Sequence, residues 1–157
     1  MVKSINEKWI SNPRDGALNL LINCIDLKKG QKLLLIGESQ KYSHYDPALI
    51  EFIAGTAEDI GAEVFQIIIP PMYGPENFPK IVGEGLAIAD HAIFLSQAGD
   101  QLRFCDTPGK ATKTMIYTLD LESLGSPFGT LNHKLMLEMK ELLRQKWSNG
   151  GDWTIKC

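Results

Sequence analysis

The chain has 157 residues, with 16 Lys plus Arg against 19 Asp plus Glu and a formal charge of −3. That length suits one domain that buries roughly 70% of its unfolded surface, and 44% hydrophobic against 22% charged residues excludes a disordered or collagen-like chain. The acidic balance supplies no basic face for nucleic acid, no apolar run is long enough to span a bilayer, and the charged stretch 1–10 does not read as a secretory leader.

The elements follow in chain order. Asn12 and Pro13 offer an N-cap and a first-turn proline, and Ala17, Leu20, Leu21, Cys24 and Ile25 then recur at helical spacing, which predicts a helix to about Leu27. Lys28, Lys29 and Gly30 close it with positive charge and a residue free to turn left-handed. Residues 32–36 are an aliphatic run ended by Gly37, too short for a helix and apolar on both faces, as a central strand should be.

Asp46 and Pro47 restart a helix whose stripe is Leu49, Ile50, Ile53, Ala57 and Ile60, ended by Gly61. Residues 63–69 form a second strand, which Pro70 and Pro71 cannot extend because neither donates to a ladder. A helix over 78–89 carries Gly83 and Gly85. Strands follow at 91–95 and 114–118. Residues 131–147 form an amphipathic helix with Leu131, Leu135, Met139, Leu142 and Leu143 on its apolar face, ended by Asn149, Gly150 and Gly151. A last strand falls at 153–157.

Strands alternating with helices at this spacing predict one α/β domain over 1–157: a doubly wound, mostly parallel sheet with helices on both faces, in a Rossmann-like arrangement. Ligands of such sheets bind in the crevice at the carboxyl ends of the strands. Glu38, Ser39, Ser96, Gln97, Asp100 and Arg103 are the candidate ligand-binding residues there. Each also has a plain reading as a loop or capping residue.

The nucleotide signatures fail. Gly37-Glu38-Ser39-Gln40-Lys41 lacks the second and third glycines of the dinucleotide fingerprint, and Gly109-Lys110 is followed by Ala111 rather than a magnesium-binding hydroxyl. Metal pairs such as HExxH or CxxC are absent from the sequence, and His44, His91 and His133 are isolated. Of these, His44, beside Tyr45 and Asp46, is the most site-like, although Asp46 already serves as an N-cap. Cys105 lies near Arg103, a cation that would favour thiolate, but no base stands beside it. Cys24 falls on an apolar stripe and reads as core. Neither a metal nor another cofactor is expected, and three cysteines without close pairing fit reduced thiols in a cytoplasmic protein.

Two stretches are more specific. Residues 20–38 (LLINCIDLKKGQKLLLIGE) and 58–64 (EDIGAEV) resemble the amino-terminal domain of the aminopeptidase T family of metallopeptidases, which includes dihydroxypyridine dioxygenase-like proteins. The match is clearest over 17–70 and looser through Asp120. In that family the two-metal centre is built from Glu, His, Tyr and Asp residues of a carboxyl-terminal domain, so no ligand transfers to a position in this sequence. The resemblance implies the scaffold and not the metal site. The expectation is a noncatalytic or incomplete member that binds a small polar ligand or a protein partner and self-associates. Two alternatives are a small metal-independent enzyme, with Glu38 or Asp100 as general base, and a fragment of a longer peptidase.

Overall fold

The computed structural model describes residues 12–39, 41, 43–102, 109–148 and 150. The expected strand at 153–157 lies outside the described residues, as do Arg103 and Cys105.

Four strands, β1 (Lys32–Glu38), β2 (Glu63–Ile69), β3 (His91–Leu95) and β4 (Thr112–Met115), form one sheet in the order β2-β1-β3-β4. All three pairings are parallel, which confirms the predicted α/β class. The helices are α1 (Pro13–Leu18), α2 (Pro47–Ile60), α3 (Lys80–Ile88), α4 (Ala98–Leu102), α5 (Leu121–Leu124) and α6 (His133–Ser148), with a 3₁₀ turn at Pro75–Asn77. None of the described helices is long and apolar enough to cross a membrane.

Side chains alternate across each strand, so one strand feeds two cores. Leu33, Leu35, Ile93 and Leu95 pack with Ala17, Leu21, Leu49 and Ile53 on the α1/α2 side. Leu34, Ile36, Ala92 and Phe94 pack with Val82, Leu86, Ala98 and Leu102 on the α3/α4 side. Helices therefore cover both faces, and residues 33–36 of β1 and 92–95 of β3 are uniformly apolar because neither stretch has a wet side.

Local chemistry sets the boundaries. Asp46 accepts from the Ala48 N–H at 2.9 Å to start α2, and Gly61 ends it at φ 90°, a left-handed conformation costly for a residue with a Cβ. Asn12 caps α1 by accepting from the Arg14 N–H. The first helix departs from expectation: after Leu18 it widens into a π-helical turn, Asn19–Cys24. The Asn19 side chain there donates to the carbonyls of Gly129 and Leu131, both at 2.9 Å, tying a distant loop to the turn. Cys24, expected in the core, is half-buried at its edge.

Other differences have similar local causes. β1 runs two residues beyond the aliphatic core, so Gly37 and Glu38 belong to the sheet, paired with Ile68 and Ile69. β4 starts two residues before the predicted strand, because the ladder to β3 pairs His91 with Thr112 and ends at Phe94 with Met115. α3 starts at Lys80, after Pro79 as N-cap.

The largest departure is α6. Its predicted apolar face exists, yet none of its residues is buried.

Candidate functional site

In the order β2-β1-β3-β4 the chain leaves β1 for one side of the sheet and later returns to pair β3 on the other. The switch point therefore lies between the carboxyl ends of β1 and β3, where loops diverge and leave a crevice. The register Gly37↔Leu95 puts Glu38 and Ser96 side by side at this position. Four of the candidates, Glu38, Ser39, Ser96 and Gln97, converge on these two strand ends, and Asp100 follows in the first turn of α4.

The two central groups are buried polar side chains that the described residues do not satisfy. Glu38 is 6% exposed and Ser96 fully enclosed, and neither carboxylate oxygen of Glu38 nor the Ser96 hydroxyl has a hydrogen-bond partner among the described residues. Burial pushes the Glu38 carboxyl above its ordinary value; the approaching Gln97 amide, short of hydrogen-bond geometry, and the nearby His44 offset only part of this. A buried polar group without a partner costs about 1–3 kcal/mol, so native chains rarely keep one without a use.

Ser39 and Gln97 contribute backbone instead. The Ser39 N–H donates to the Ile69 carbonyl at 2.9 Å, and the Gln97 carbonyl accepts from the Asp100 N–H at 3.1 Å. These bonds fix the first residues after β1 and β3, and so fix where Glu38 and Ser96 stand.

The mouth is framed by two segments that cross it. The Asp46 N–H donates to the Leu119 carbonyl at 2.7 Å, and the Tyr45 hydroxyl donates to the Ile116 carbonyl at 2.7 Å. Burial pushes the Tyr45 phenol up to about 12, helped by the negative charge of Asp100, by Tyr117 and by Glu38. The Tyr117 hydroxyl in turn donates to Asp100 at 3.1 Å. A cavity of about 490 Å³ opens beside this frame, lined by Glu38, Ser43, Tyr45, Asp46, Glu51 and Leu95 among others. None of its described lining residues is Lys or Arg.

Tyr45 and Tyr117 were not among the candidates. Tyr45 carried a signal, in the polar cluster His44-Tyr45-Asp46 at a helix start, whereas Tyr117 sits after β4 and only the fold brings it to Asp100. His91 is buried away from the crevice, at the amino end of β3, with Nε2 3.3 Å from the Gln31 side-chain oxygen. His133 lies at the start of α6, and His44 is exposed.

Chemically, the crevice offers a buried carboxyl that retains its proton to higher pH than usual, an enclosed hydroxyl and a second carboxylate held by a phenol. Such a carboxyl can donate or accept a proton. Among the described residues, no group of three or more His, Cys, Asp or Glu side chains stands together as a metal ion would require.

No protein family profile matches the chain, and no curated protein matches it. Among solved structures it is similar to 2,5-dihydroxypyridine dioxygenase from Pseudomonas putida KT2440, at 13% identity and a TM-score of 0.41. The similarity covers 53% of this chain and spans only 27% of that one. Nothing found bears on the aminopeptidase side of the resemblance noted in the sequence.

Proposed function

We propose that this chain is a noncatalytic α/β domain that holds a small polar ligand at the β1/β3 switch point, on a scaffold of the aminopeptidase T-like type. The aminopeptidase T part of this reading rests on residues 20–38 and 58–64 alone. The observation that carries the ligand part is the pair Glu38 and Ser96, buried side by side at the strand ends with polar atoms that find no partner among the described residues. A ligand supplying a donor to Glu38 and a partner to Ser96 would recover the free energy these groups forfeit on folding.

The test is amide-resolved NMR titration with a panel of small polar compounds. Binding here moves the amides of Glu38, Ser96 and Gln97 first, and Glu38→Gln with Ser96→Ala weakens it. Perturbations scattered elsewhere, or none across the panel, would remove the reading.

A second reading has its own observation, the raised Glu38 pKa, which suits a general acid or base in a small metal-independent enzyme. Turnover of any compound in the panel that Glu38→Gln abolishes without weakening binding would favour it. Peptide hydrolysis by purified protein carrying stoichiometric zinc, cobalt or iron would overturn both readings.

A further inference from the structure

α6 carries an apolar stripe that the described chain leaves half-exposed along its length, touching it only where the helix start meets the Asn19–Cys24 turn. Across its 16 residues none is buried, and Leu135, Met136, Met139, Leu142 and Leu143 are each 43–60% exposed. At helical spacing these five fall on one side, while Leu137 stands on the other. The stripe also continues beyond the helix. Met136 and Leu131 form one wall of an apolar groove of about 310 Å³, whose other walls include Leu20, Ile116 and Phe128.

We propose that this continuous face, the α6 stripe with its adjoining groove, docks against the same face of a second copy of the chain in a two-fold dimer. The proposal is independent of the ligand reading above and gives the expected self-association a specific surface.

Area and charge both point to a second copy. The half-exposed apolar side chains of the helix, groove and intervening loop together present on the order of 800 Å² of surface, about what each partner contributes to a standard stable interface. A patch of that size is larger than a monomer ordinarily leaves wet. Lys134, Lys140, Arg144 and Lys146 against Glu138 and Glu141 give α6 a balance of +2, so the rest of the chain, in a total of −3, carries −5. In the reciprocal dimer the cationic α6 of one copy lies across the groove of the other, whose described lining residues include no Lys or Arg to repel it. An anionic membrane, the other surface that takes amphipathic helices, would meet a body of its own sign and a polar helix face on which Glu141 already engages Arg144 at 2.7 and 2.8 Å.

The experiment is sedimentation equilibrium of the full chain across the micromolar range. The expected mass is twice 17.5 kDa. Met139→Glu, at the centre of the stripe, should weaken association at least tenfold while the far-UV circular dichroism stays unchanged, because the side chain is exposed in the single chain. Leu137→Glu makes the same kind of change on the opposite side of the helix and should leave the dimer intact. Four outcomes overturn the proposal: a wild-type monomer throughout, a dimer indifferent to Met139→Glu, equal disruption by Leu137→Glu, or a monomer that instead binds phosphatidylserine vesicles through the stripe.

Discussion

α2 and α6 are alike in pattern and opposite in circumstance. Both begin with a side-chain cap: Asp46 accepts from Ala48 N–H and Asn132 accepts from Leu135 N–H. Both set an apolar stripe against a polar face. Yet α2 buries Leu49, Ile50, Ile53, Ala54 and Ala57 against β1 and β3, whereas α6 buries nothing. The pattern of a helix fixes which face wants cover and is silent about what supplies it.

The sharpest way to break the comparison is to delete equal bulk from each helix. Ile53 is fully buried among the strands and helices of its core, so Ile53→Ala removes transfer energy and leaves a cavity. The expected loss is about 2–5 kcal/mol, read as a lower denaturation midpoint with an unchanged slope. A loss below about 1 kcal/mol would mean that α2 is as loosely held as α6.

Glu38 gives the next contrast, at the crevice end of the α2 half. Its folded pKa is raised by burial from an ordinary 4.5, so the folded state holds this proton more tightly than the unfolded chain. The group therefore favours folding below pH 4.5, and that contribution disappears as pH rises through the higher folded value. Glu38→Gln cannot ionise. It should flatten this part of the stability profile and be more stable than wild type at neutral pH, by denaturant titration at several pH values. A variant with an undiminished acid-range slope would show that another carboxyl causes it. A ligand that pairs with Glu38 should narrow the neutral-pH gap.

The two caps sharpen the comparison further. Asp46→Ala should cost about 1 kcal/mol globally, because α2 cannot fray without opening the core. Asn132→Ala removes an equivalent bond, but the loss should stay local: an isolated helix of this length is marginal in water, so the effect should appear as faster amide exchange in the first turns of α6 rather than as a shifted global midpoint. A global shift equal to that of Asp46→Ala would place α6 within the cooperative unit.

The same asymmetry decides how much was legible. Residues 63–69 and 91–95 were read with the bounds of β2 and β3, because prolines, an acidic turn and aliphatic runs mark them locally. Glu38 and Ser96 were readable as crevice residues, since any parallel sheet puts strand ends there. That neither would find a partner among the described residues was not readable, because it depends on what crosses the mouth. Tyr45 reaches the Ile116 carbonyl across 71 positions of sequence, and no local pattern announces such a bond. α5 did carry a sign, the Asp120 and Ser123 capping box, which went unread because four residues show no periodicity. The close approach of α1 to α5 was equally silent: a Cβ on Gly16 would sit 1.8 Å from the Leu124 carbonyl oxygen, so the glycine is there for clearance rather than for its φ.

The smallest expected effect is the most discriminating. Leu142 is 60% exposed on the α6 stripe, so in a single chain Leu142→Ala removes little buried area, and the unfolding free energy of dilute protein should move by no more than about 0.5 kcal/mol. Ile53→Ala would be just as damaging at any concentration, because its cavity lies inside one chain. Leu142→Ala should behave otherwise if the stripe is covered by association: the wild-type midpoint then rises with protein concentration by mass action, the variant's rises less, and the gap between them opens as the samples become more concentrated. Thermal melts over a wide dilution series measure that divergence. Parallel curves would leave α6 uncovered in solution, and its pattern would then have no packing role in the protein as it stands.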